Sequence, residues 1–315
     1  MTTTPQWVAR AGLGAGALCV SASAVLLGLA ATTPATASVM RCLFAAPVVA
    51  VLARRERRRA PLTRRAAVAA VACGALFAGD TLLWTQAIPE VGAGLSTVLV
   101  NAQIALVPLL AWLIDRERVR LRFVLALPAV AAGVVLAGGV FERGLTGTDP
   151  VIGTVHAVGA ALCYSGFLFL LRRGGLGGQP LQTYAVVLAT SAAVSAAVGP
   201  WWHGLDLAPG WPAVGWLLLV TLTGQLLGWL LVACLSPRLP TDVGSALLLL
   251  TPVGAVALGA VVLSERPSVL QLAGCGLILA AGYLGTADFG APRRFGPSAS
   301  GHADLKVRGV VRCAQ

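Results

Sequence analysis

The sequence predicts an all-α, polytopic membrane protein with ten transmembrane helices arranged as two inverted five-helix repeats. Three observations carry this expectation. Apolar runs are long enough to cross a bilayer, arginines are confined to alternate loops, and the second half of the chain echoes the first. Of 315 residues, 57% are hydrophobic and 11% charged, and mean hydropathy is +0.83. A soluble domain carries roughly 25% charged residues, so no stretch here has the charge to solvate a soluble surface. The net charge of +11 does not indicate nucleic acid. A nucleic-acid reader gathers basic groups on one folded face, and these sit in short loops between apolar runs.

A hydrocarbon core about 30 Å thick needs about 20 apolar helical residues, and only helices or closed barrels satisfy their backbone there. The apolar runs are too long and continuous for barrel strands. Ten spans follow in order: Gly12 to Ala31, Ala37 to Ala53, Ala66 to Ile88, Gly92 to Ile114, Phe123 to Val140, Val151 to Leu171, Tyr184 to Pro200, Pro212 to Leu235, Val243 to Leu263 and Leu270 to Ala287. The third and fourth are joined by almost no loop, around Pro89-Glu90, which forces an antiparallel hairpin. Ala35-Thr36-Ala37 has the form of a signal-peptide cleavage site. The apolar run from Ala11 to Met40 exceeds the roughly 7 to 15 residues of a signal segment, so the first helix is expected to be retained.

Lysine and arginine counts orient the spans. One set of loops holds Arg10, the seven arginines from Arg54 to Arg65, four from Arg116 to Arg122, Arg172-Arg173, Arg238 and five basic residues in the tail, twenty in all. The opposite set holds only Arg143 and Arg266, and Arg41 lies inside a span. The asymmetry predicts both termini in the cytoplasm, and the expected location is the plasma (inner) membrane. The Arg54 to Arg65 run is expected to meet anionic lipid heads. Trp201, Trp202, Trp211 and Trp216 read as an aromatic belt at one interface.

The two halves repeat in order at nearly constant offset. Ala17-Leu18-Cys19-Val20-Ser21 returns as Ala161-Leu162-Cys163-Tyr164-Ser165. Gly79-Asp80 with Trp84 returns as Gly224-Gln225 with Trp229. Glu117-Arg118 returns as Glu265-Arg266, and Gly133 with Leu136-Ala137 as Gly276 with Leu279-Ala280. Each unit holds five spans, an odd number, so the second enters the membrane upside down. Inverted repeats build two half-bundles around a central site, and rocking one against the other gives alternating access. The expected organisation is a cytoplasmic N-terminus (1–10), a first repeat (11–141), a second repeat (151–288) and an unstructured cytoplasmic tail (289–315).

At this point the residues resemble a known family, the EamA-type transporters of the drug/metabolite transporter superfamily. Each half carries a small-residue helix followed by an acidic residue just past the membrane edge. In the second half this is Leu250-Thr251-Pro252 through Leu263-Ser264-Glu265, then Gln271-Leu272-Ala273-Gly274. In the first it is Asn101-Ala102-Gln103-Ile104 through Trp112-Leu113-Ile114-Asp115-Arg116-Glu117. The first half departs from the pattern: Ile104 stands where the proline is expected, and Pro108 lies one turn later. The resemblance implies an exporter-like carrier of small metabolites. It places helices one to four and six to nine around the cavity and five and ten at the periphery.

Asp80 is the leading site candidate. A carboxylate at the centre of a span costs about 2.5 to 3.5 kcal/mol on insertion scales, and it persists only when paired, protonated or facing a wet cavity. Arg41 in the adjacent second span is within reach. The pair is either a proton and substrate site or a static ion pair between helices. Gln225 occupies the matching position in the other repeat. Trp84 and Trp229 lie one turn beyond Asp80 and Gln225, on the same helix faces, as aromatic walls or as packing. Asn101, Gln103 and Tyr164 are candidate cavity-lining groups, with Gln86 and Ser165 as weaker ones; all could instead bond neighbouring helices. His156 reads as an interface residue, Glu90 as solvated, and Glu117 and Glu265 as caps or loop anchors.

Other chemistry finds little support. The seven cysteines form no CxxC pair, so neither a zinc site nor a disulfide framework is implied. No GxxxxGK[ST], HExxH or GxSxG occurs, so the reading is not an enzyme, with no cofactor and no metal. The expected function is secondary export of small metabolites or amino-acid-like, amphipathic solutes, with proton coupling and a homodimer left open. An importer or exchanger of the same fold, or a membrane scaffold or signalling subunit without transport, are the alternatives. The expected partners are a small-molecule substrate and the lipid bilayer.

Overall fold

The computed structural model describes residues 6–58, 60–116, 121–142, 147–173, 179–228, 231, 232, 235, 239 and 241–286. Every regular element among them is helical. Glu117, Trp229, Cys234, Arg238 and the tail lie outside the described residues.

The first crossing, α1 (Gln6–Ala30), stops where Ala31 turns left-handed at φ +48°. The second, α2 (Pro34–Arg57), begins three residues ahead of the sequence expectation. Thr33 caps it by accepting from the Thr36 N–H, and Pro34 sits at the first helical position, where its missing donor costs nothing. Thr63 caps α3 (Arg64–Val91) in the same way. Gly92, at φ +100°, turns the chain directly into α4 (Ala93–Val100), a conformation that suits glycine.

The fourth crossing is two helices, α4 and α5 (Gln103–Asp115), broken at Asn101-Ala102 rather than at Pro108. Beyond it run α6 (Leu121–Ala137), α7 (Pro150–Arg173) and α8 (Pro180–Val198). The eighth crossing starts as α9 (Trp211–Val220) and continues as a π-helical segment, Thr221–Gly228. The ninth is again split, into α10 (Thr241–Leu248) and α11 (Leu250–Val262). The last is α12 (Val269–Thr286). Seven stretches are long and apolar enough to cross a bilayer, and three shorter apolar helices complete ten crossings.

Packing follows a two-fold pattern. The first crossing of each repeat packs on the third and fourth of the other: α7 on α3, α4 and α5, and α1 on α9, the π segment and α11. The second crossings pack on each other as α2 with α8, and the fifth as α6 with α12. With five crossings per repeat, the relating axis lies in the membrane plane, so the repeats are inverted.

Glycines permit the closest contacts. A Cβ on Gly12 or Gly16 would strike Leu235 or Leu231, and one on Gly133 would strike Gly274 O at 2.9 Å.

Two bundles result. One is α1, α9, the π segment and α11; the other is α3, α4 and α7. Toward the face carrying the Gly92 turn, here the hairpin face, they share one apolar core. It joins Val25 and Leu27 of α1, Ile88 of α3, Ala93 of α4 and Leu217 of α9. Toward the opposite face, which carries Arg54 to Arg65, the cores separate. Ala9 and Leu13 pack with Leu239 and Val243 in one bundle. In the other, Ala66, Cys73 and Phe77 pack with Phe167, and Val187 of α8 covers them. Among the described residues on this arginine face, α5 buries only Ala105 and Ala111 and shows no close packing on α10. Among the described residues, the bundles are therefore joined at the hairpin face and parted at the arginine face.

Candidate functional site

A cavity of about 400 Å³ lies between the bundles at mid-depth. Three irregular backbone stretches form its wall. The break in the fourth crossing presents Thr97, Val100, Asn101, Gln103 and Ile104; the break in the ninth presents Leu248, Leu249 and Thr251; the π segment presents Gly224 and Gln225. Non-helical backbone at membrane depth is tolerated where it is buried in protein or lines a wet cavity, and local side chains satisfy it here. Asn101 Nδ2 donates to Thr97 O at 2.8 Å. The Ser21 hydroxyl of α1 lies within hydrogen-bond distance of Thr251 O (2.8 Å), of Ala17 O in its own helix (2.9 Å) and of Leu250 O (3.2 Å). Ser165, its counterpart in the repeat, bonds its own helix at Ala161 O and does not line the cavity.

Seven of the eight candidate residues line this cavity: Asp80, Arg41, Trp84, Asn101, Gln103, Tyr164 and Gln225. The eighth, Trp229, lies outside the described residues. Because α2 begins at Pro34 and α3 extends to Val91, Arg41 and Asp80 sit deeper than the sequence suggested. At 1.5 Å per residue they lie roughly 10 and 16 Å from the hairpin-face ends of their helices.

Both are 7% exposed. No ion pair within 4.0 Å joins them, although their charges interact through space. The static-ion-pair reading therefore loses its contact. Arg41 Nε and Nη1, Trp84 Nε1, Gln103 Oε1 and both amide atoms of Gln225 are buried without a hydrogen-bond partner. Tyr184 lies near Gln225 but not in hydrogen-bonding geometry. Buried polar groups are normally satisfied. Here donors from Arg41, Trp84 and Gln225 share a cavity with acceptors from Asp80, Gln103 and Gln225. Such a set can hold a small solute carrying both an anionic and a cationic group.

Sequence reasoning missed several lining residues. Thr81 follows Asp80, and Thr97 lies one turn before Asn101; each was legible by adjacency to a polar candidate. Tyr283 of α12 also lines the cavity, so the tenth helix is not wholly peripheral as the resemblance implied. Among the described residues, the seventh crossing contributes no lining side chain.

Three expectations concern the hairpin face. Glu90 is buried, not solvated. It accepts from Gln86 Nε2 at 2.6 Å and pairs with His156 Nδ1 at 2.5 Å. Gln86 is thus engaged away from the cavity, and His156 tethers α7 to the hairpin. Glu265 is an anchor, as expected, but its partners lie in the opposite repeat. Its Oε1 accepts from Ala93 N–H at 2.6 Å and its Oε2 from Gly94 N–H at 3.2 Å. No group of three or more metal-ligating side chains occurs among the described residues.

Comparison with known proteins fits this geometry. The model of the EamA-like transporter family matches residues 11–139 and 151–286, once for each repeat. The chain belongs to the EamA-like transporter family. It is accordingly a multi-pass membrane protein of a transporter family. Among solved structures, one crystal structure is similar over 89% of this chain and 96% of its own, with TM-score 0.56 and 20% identity. That likeness concerns the fold alone. No curated protein matches the sequence.

Proposed function

We propose that this EamA-family chain is a secondary carrier of the plasma membrane, with its arginine face cytoplasmic. It exports a small amphipathic or amino-acid-like solute by rocking its two bundles about the cavity, with a proton carried on Asp80. One observation carries the reading: two oppositely charged side chains, each 7% exposed, share a cavity of about 400 Å³ without pairing with each other. A cavity of this size suits a small molecule. A charge held in a membrane interior without a partner is a functional feature by default.

A solute carboxylate would complete the hydrogen bonding of Arg41, and a solute ammonium or a proton would neutralise Asp80. Competition between solute and proton for one carboxylate is the simplest route to exchange. Mean cavity polarity is low, with Phe77, Val100 and Ile104 among the lining residues, so an apolar portion of the solute is accommodated.

The test is a thermal-shift screen of the detergent-purified protein against amino acids and their uncharged analogues. Zwitterionic compounds should raise Tm, and Arg41→Gln should abolish that rise. No shift with any zwitterion, or equal shifts with analogues lacking the carboxylate, would remove the reading. A protein that binds only through its tail and shows no solute response would instead be a scaffold.

A further inference from the structure

We propose that Glu265 is a gating residue, the latch that seals the hairpin face when the cavity opens toward the arginine face. This goes beyond solute binding and rests on the rocking-bundle reading above.

Glu265 follows α11, a helix of the α1 bundle. The amides it binds, those of Ala93 and Gly94, begin α4 in the other bundle. The bond therefore crosses the one boundary that must part for the hairpin face to open. It also lies at the apolar seal, since Ala93 belongs to the core shared by the two bundles.

The backbone is shaped around this carboxylate. Ser264 adopts φ +56°, and the Glu265 N–H returns to Gly259 O at 3.1 Å, a fold that turns the side chain back over the end of α11. Left-handed conformation is uncommon for a residue other than glycine. Glycines clear the space: a Cβ on Gly259 would lie 2.4 Å from Glu265 Oε2, and one on Gly92 would lie 3.2 Å from its carboxyl carbon. A Cβ on Gly94 would meet the backbone of Val256 at 2.6 Å, so α4 and α11 are in direct main-chain proximity at this end.

A carboxylate over a helix N-terminus is favoured by the exposed amides and the helix dipole. At 9% exposed, Glu265 gains no comparable partner from water while the face is shut. Opening the face hydrates both the carboxylate and the amides, so the bond can be exchanged for water at modest net cost. That reversibility separates a latch from a permanent staple.

The experiment places a reporter cysteine at Val100 in a cysteine-free version of the full chain. An impermeant maleimide is applied to right-side-out and to inside-out vesicles, and Tm is measured in parallel. Glu265→Gln removes the charge. Gly259→Ala keeps the glutamate but fills its seat, so the result does not depend on one variant folding. Labelling from the hairpin face should rise roughly tenfold in both, the loss expected for one buried hydrogen bond to a charged group. An unchanged hairpin-face rate in both variants overturns the latch, whatever Tm does. Absence of labelling from either face in the parent protein would instead overturn the rocking-bundle reading.

Discussion

At the scale of single residues, Asp80 and Arg41 organise the proposed site, and on that proposal each makes a distinct demand on the solute. Arg41 leaves two buried guanidinium donors, Nε and Nη1, unpartnered, and the planar guanidinium suits a carboxylate in a way an ammonium does not. Arg41→Lys should therefore weaken binding despite keeping the charge, by roughly tenfold to a hundredfold in Kd, as expected for one or two charge-assisted hydrogen bonds. Titration of solute-induced tryptophan fluorescence or of heat would measure it. Asp80 was legible in the sequence because a carboxylate deep in an apolar run has few physical excuses. Arg41 was legible for the same reason. Gln225 was found only through the repeat. Glu265 shows where such reading stops. Its partners lie 172 and 171 residues away, and no local spacing reports a cap contributed by another repeat. Glu90 misled because acidic residues in short turns are usually solvated, whereas loop residues cover this one: Asp149 N–H bonds Glu90 O at 3.2 Å.

At the scale of elements, the ten crossings were readable from hydropathy, and several of their ends from Thr-Pro and glycine signals. The breaks were not. Pro108 drew attention in the fourth crossing, yet the helix stays continuous through it and parts at Asn101-Ala102. A proline in a span is tolerated where neighbouring helices, hydroxyl side chains, water or a local backbone adjustment re-satisfy the freed carbonyl, so a proline alone does not decide the break. Ser21 illustrates the compensation. Its hydroxyl spans from α1 to the carbonyls beside the ninth-crossing break. Ser21→Ala should lower stability by about 1 kcal/mol, read as a reduced unfolding midpoint in detergent, with solute affinity little changed. Close helix contact gives a second expectation. Gly274 sits against Ala137 N and Gly133 O, with its would-be Cβ at 2.4 and 2.7 Å. Gly274→Val should force α6 from α12 and destabilise the fold by about 1 to 3 kcal/mol, which thermal unfolding would register.

At the scale of the whole molecule, inversion of the repeats would turn the proposed binding site into a two-sided device. A symmetric bundle can close equally well at either end, and the described structure is closed at the hairpin face. The arginine asymmetry was the clearest global signal in the sequence, because loop charge reports topology independently of packing. Single cysteines at Asp149 and at Arg57 should therefore label from opposite sides of sealed vesicles, with Arg57 on the cytoplasmic side. The state of the bundle was not legible, since one sequence encodes both states and only packing distinguishes them. Coupling is decided by flux. In proteoliposomes a pH gradient should drive solute accumulation in the parent protein. Asp80→Asn should abolish that accumulation while Tm persists; undiminished pH-driven flux in the variant would contradict a proton-carrying role for the buried carboxylate.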